Sequence, residues 1–127
     1  MKIATLIARI LLGLIFLVFG LNGFLHFIPM QPPAGLAGQY LGALFLSHYT
    51  VIVFLLQVIG GALLLSNRFV PLALALLGPV LVNILLFHAL LAPAGLPLAL
   101  ITTALWLIVF YEVRRAFAPL FAQRLET

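Results

Sequence analysis

Apolar residues in this 127-residue chain run in long unbroken stretches, separated by short polar or proline-rich segments. The first stretch covers about Ile3–Phe27 and halts at Pro29-Met30-Gln31-Pro32-Pro33-Ala34-Gly35, where the prolines remove backbone donors and restrict the residues before them. The second covers about Tyr49–Leu65 and ends at the polar turn Ser66-Asn67-Arg68. The third covers about Phe69–Leu91, with Pro79 inside it as an expected kink, and ends at Ala92-Pro93-Ala94-Gly95. The fourth covers about Leu96–Val113, with Pro97 suited to a first helical turn. Leu36–Ser47 reads as a short interfacial or re-entrant helix.

Crossing about 30 Å of hydrocarbon takes roughly 20 apolar residues in a helix. A transmembrane barrel would need short segments alternating between apolar and polar. Ile10–Phe19 and Leu72–Leu77 are continuously apolar instead. The pattern therefore predicts an all-α fold, a single four-helix transmembrane bundle with a tail at 114–127. Helices suit lipid because each satisfies its own backbone.

Composition narrows this further. Hydrophobic residues make up 66% of the chain and charged residues 6%, which excludes an ordinary soluble domain and a disordered one. There is no cysteine, so disulfides, thiolate metal sites and thiol relays are excluded. The span from Arg9 to Arg68 holds 58 uncharged residues, and that from Arg68 to Glu112 holds 43, each room for two crossings. All six Lys and Arg residues then fall at one end of the bundle. The positive-inside rule puts that end, with both termini, in the cytoplasm of a multi-pass protein. The net charge of +4 implies a basic face toward anionic headgroups and no surface for nucleic acid. The first span is long for a signal core and carries Arg9, Asn22 and His26, so it is expected to be retained. Arg9 is expected to snorkel to the cytoplasmic surface, and Glu112 to pair with Arg114 or Arg115 in solvent. Phe117, Leu120, Phe121 and Leu125 could give the tail an apolar patch against the inner leaflet, with a frayed tail as the alternative.

Asn22, His26 and Pro33-Ala34-Gly35-Leu36 recur as Asn83, His88 and Pro93-Ala94-Gly95-Leu96, at offsets of 61, 62 and 60. Arg9 and Arg68 are offset by 59. Such an echo fits a parallel repeat of a two-helix hairpin.

Polar groups in hydrocarbon are costly and serve either as inter-helix glue or as a site. Asn22 and His26, four apart on one helical face, lie in the outer half of the first span. Gln57 lies near the middle of the second span, and Asn83 and His88 in the outer half of the third. His48, at a span end, is expected to face water. The chain has no Asp, and no Glu before Glu112, which argues against a zinc or di-iron site and a carboxylate proton relay. A haem could take His26 and His88 as axial ligands. A quinone fits better: neutral His, Asn and Gln offer donors to its carbonyls, and Phe24, Phe27, Phe45 and Phe87 offer aromatic walls. Gly13, Gly20 and Gly60-Gly61 read as sites of close helix approach.

The run Arg9-Ile10-Leu11-Leu12-Gly13-Leu14-Ile15-Phe16 through Phe19-Gly20-Leu21-Asn22, then Gly60-Gly61, Val82-Asn83-Ile84-Leu85-Leu86-Phe87-His88 and Ala92-Pro93-Ala94-Gly95, resembles the DoxX-like family of small bacterial membrane proteins. The resemblance covers about residues 5–120. It implies four transmembrane helices in the bacterial inner membrane and a link to quinone-dependent oxidoreductases or oxidative-stress complexes. More distant similar proteins act as membrane chaperones or cargo receptors. The expectation is a quinone-interacting redox or redox-accessory subunit, with Asn22, His26, Gln57, Asn83 and His88 holding the headgroup and His26 or His88 exchanging protons. A redox partner protein or a homo-oligomer is implied, since the chain carries no electron donor of its own. The alternative is a non-enzymatic assembly or chaperone-like protein without a cofactor.

Overall fold

A computed structural model describes residues 2–29 and 33–125. The middle of the proline-rich break, 30–32, lies outside them. Four long helices, α1 (Lys2–Leu25), α3 (Tyr49–Ser66), α4 (Val70–Leu90) and α5 (Leu96–Val113), pass up and down, with a shorter α2 (Gly35–Leu46) between the first two. The four long helices are long and apolar enough to cross a membrane. They close a ring in which α1 neighbours α3 and α5, and α4 neighbours the same two. Their outward positions, such as Leu14, Ile52, Leu86 and Ile101, are exposed and apolar, as lipid demands and water would penalise.

Local chemistry sets the helix ends. α1 stops at Leu25, two residues earlier than its apolar run, because His26 turns left-handed at φ 52. Asn22 serves both parts of that turn. Its backbone carbonyl accepts from His26 N at 2.8 Å, and its Oδ1 accepts from Ile28 N at 2.7 Å. α2 begins at Gly35, whose φ of +67 suits glycine. This establishes the ambiguous segment as a helix; it leans on α3. α3 ends in a Schellman turn: Asn67 is left-handed at φ 55, and Arg68 N reaches back to Leu63 O at 3.0 Å. α4 runs as one helix through Pro79.

The dry core fills the half of the bundle that holds the termini. Ala8, Leu12 and Phe16 of α1 meet Leu64 of α3, Ala73, Leu74 and Leu77 of α4, and Val109 of α5. Glycines set the helix spacing. A Cβ on Gly61 would lie 2.6 Å from Leu17 N and 2.8 Å from Gly13 O, so α1 and α3 touch backbone to backbone. Gly60 admits the Leu77 side chain of α4 in the same way. Trp106 joins the core from α5, with Nε1 donating to Leu74 O at 3.2 Å and its ring stacked on Phe110.

Charged groups find partners at helix ends. Arg9 is part-buried at the end of the bundle that holds the termini. Its Nη1 donates to Leu64 O, and to Leu65 O at 3.2 Å. Carbonyls in the last turn of α3 lack intrahelical partners and form the negative end of the helix dipole, so a guanidinium within reach is drawn to them. Arg114 turns from Glu112 to its own helix end: its Nη1 donates to Tyr111 O at 2.6 Å, and its guanidinium lies 4.0 Å from the centre of the Tyr111 ring. The tail is folded through Phe121 as a 3-10 helix (Arg114–Phe121). Phe117 packs on the core while Leu120 and Phe121 remain exposed.

Candidate functional site

Beyond the dry core, toward the end of the bundle away from the termini, the helices diverge around two cavities. The inner one has a volume of about 310 Å³. Phe16 and Phe19 of α1 and Ile84 of α4 form its apolar walls, and Gln57, His88 and Thr102 supply its polar groups. The outer one, about 720 Å³, lies under α2 and is lined by Asn22, His26, Phe45 and Phe54 among others. Phe19 and His88 line both, so the two spaces share a wall.

Each polar group of the inner cavity has a distinct state. Gln57 is only 6% exposed as a residue and lines the cavity; its amide is not among the fully enclosed, unpartnered polar atoms, so it stays accessible from that space. It is buried because Gly20 of α1 lies against its Cβ. His88 is half-buried in the last turn of α4, and its Nδ1 lies 3.2 Å from Ala92 O. A carbonyl oxygen can only accept, so Nδ1 carries the proton and Nε2 of the neutral ring keeps its lone pair. Gly95 makes room for this ring: a Cβ there would overlap its Nδ1–Cε1 edge. Thr102 is buried, and its hydroxyl donates to Leu98 O at 2.8 Å.

The residues selected from sequence separate into three settings. Gln57 and His88 meet in the inner cavity. Asn22 and His26 line the outer one, but the Asn22 oxygen is already engaged in ending α1. Asn83 lines neither; it is exposed, and its Oδ1 accepts from the Tyr40 hydroxyl at 3.4 Å. Tyr40 also stacks on Phe87, so these residues fasten α2 to α4. The sequence echo of Asn22 with Asn83 thus joins two residues in unlike surroundings. His48 is exposed at the start of α3, away from both cavities. Among the expected aromatic walls, Phe45 lines the outer cavity, Phe24 sets its edge against Phe54, and Phe27 is exposed.

Sequence reasoning missed Phe16, Phe19, Gly95 and Thr102. The Thr102-Thr103 pair inside an apolar span was a usable signal. The phenylalanines carried none, being two among 11. Among the described residues, no three His, Asp or Glu side chains come together as a metal site. No protein-family model, curated protein or solved structure matches the chain.

Proposed function

We propose that this chain is a DoxX-like multi-pass protein of the bacterial inner membrane, with its termini in the cytoplasm, and that it serves as a quinone-interacting redox or redox-accessory subunit. One observation carries the reading: Gln57, whose amide is accessible, and His88, whose Nε2 is free of protein partners, line the same apolar, aromatic-walled cavity. An accessible amide in an apolar cavity offers a donor and an acceptor that a ligand oxygen can pair with. A volume of about 310 Å³ is at the lower end for small-molecule sites and suits a single ring. Among the described residues no Asp, Glu, Lys or Arg side chain lines either cavity, which favours a neutral occupant.

A bound quinone would supply two-electron, two-proton chemistry. The residues would orient it and handle protons. Gln57 would bond one ring oxygen, Phe16 and Phe19 would bracket the ring, and the lone pair on Nε2 of His88 would take up a proton from another oxygen as a quinol is oxidised. His26, in the adjoining cavity, would extend the proton path outward. Electrons would pass to or from a partner redox protein.

The test is extraction of the protein, purified from its native membrane in mild detergent, with identification of small molecules by mass spectrometry. About one quinone per chain is expected, and its loss from a folded H26F/H88F double variant. An empty extract from folded wild-type protein, or undiminished quinone in the double variant, would refute the reading. An empty extract would favour the assembly or chaperone role instead.

A further inference from the structure

The hydrogen-bonding state of the inner cavity selects between the two redox forms of such a ligand; this rests on the quinone reading above. We infer that the cavity holds the dihydroxy form, a quinol, in preference to the quinone. Two of its three polar side chains can only accept. Nε2 of His88 is an acceptor because Nδ1 spends its proton on Ala92 O at 3.2 Å. Thr102, a lining residue, spends its hydroxyl proton on Leu98 O at 2.8 Å, so its hydroxyl has only lone pairs left to offer a ligand. The backbone N–H of Gly95, also in the lining, is engaged by Ala92 O at 3.2 Å. Gln57, the remaining group, has both a donor and an acceptor and adapts to either form.

A quinol brings two O–H donors to this set, and each can meet a waiting acceptor. A quinone brings only carbonyl oxygens, whose lone pairs would face those of His88 and Thr102. The difference between the forms is the difference between pairing and opposing lone pairs. A preference of about tenfold for the quinol follows, which raises the two-electron potential of the bound couple by about 30 mV.

The experiment is anaerobic calorimetric titration of the full-length protein in detergent with duroquinol and duroquinone, each corrected against empty micelles. The wild type is expected to bind duroquinol about tenfold more tightly. T102V keeps the branched shape and removes one acceptor. It is expected to weaken duroquinol binding severalfold and to tighten duroquinone binding, since the opposed lone pair is gone. Equal affinities or a preference for duroquinone in the wild type would overturn the inference while leaving the quinone site standing. So would a T102V effect of equal size and the same direction on both forms. Binding of neither form would remove the quinone site itself, and this inference with it. The wild-type ratio decides the matter even where the variant folds poorly.

Discussion

Gly61→Ala tests the backbone contact on which the bundle is built. The new Cβ would sit 2.6 Å from Leu17 N and 2.8 Å from Gly13 O, both backbone atoms that no rotamer change can move. Ordinary contact begins near 3.4 Å, so α1 must retreat by roughly 0.8 Å along this seam. A gap of that size forfeits about a quarter to a half of each affected dispersion contact. The seam includes Gly13 against Leu65 and Gly20 against Gln57 and Val58. Overpacking of this kind typically costs about 1–3 kcal/mol. Because lipid tails are as apolar as leucine, packing and hydrogen bonds must hold such helices together, so no hydrophobic gain offsets the loss. Reversible unfolding by sodium dodecyl sulfate in mixed micelles, followed by circular dichroism, would measure it. Gly42→Ala is the internal control: its Cβ meets nothing within 4 Å, so that variant should be unchanged or more stable by up to about 1 kcal/mol. Equal stability of Gly61→Ala and wild type would refute the backbone-contact account of α1 and α3.

Other positions give sharp expectations. Arg9→Met removes a charged donor from the end of α3 and should cost about 1.5–3 kcal/mol in the same unfolding assay. Gly95→Ala forces the His88 ring from its place and should weaken quinone binding about tenfold, with helical content unchanged by circular dichroism. Trp106→Phe keeps a ring against Phe110 but loses the bond to Leu74 O, a loss of about 0.5–1.5 kcal/mol in unfolding free energy.

The two cavities also explain the division of labour along the bundle. Ala8, Leu12, Leu74 and Leu77 pack the half near the termini without polar atoms, which makes that half a rigid base. The other half holds Gln57, Asn22 and Thr102, buried polar groups that close packing alone would not require. Tyr40, through Asn83 and Phe87, ties α2 over the outer cavity. Polar residues read as one layer in the sequence therefore split into a fastening, a helix terminus and a cavity lining.

Four crossings, their turns and the collection of basic residues at one end were legible from the sequence by itself. Apolar length is set by the thickness of hydrocarbon, and prolines and charges resist the interior, so these features are local. Position along each helix was legible too, because it follows from counting along each span. Which polar groups face one another was not. Asn83 and His88 are five residues apart, roughly 140° around a helix, so at most one of them could point inward with Gln57. The choice depended on how α4 rotates against its neighbours, and Gly60 against Leu77 helps set that rotation. The capture of Arg9 by α3 and the displacement of Phe24 and Phe27 by Phe16 and Phe19 as cavity walls arose in the same way. They come from the approach of helices distant in sequence, a property of the assembled bundle that no single span encodes.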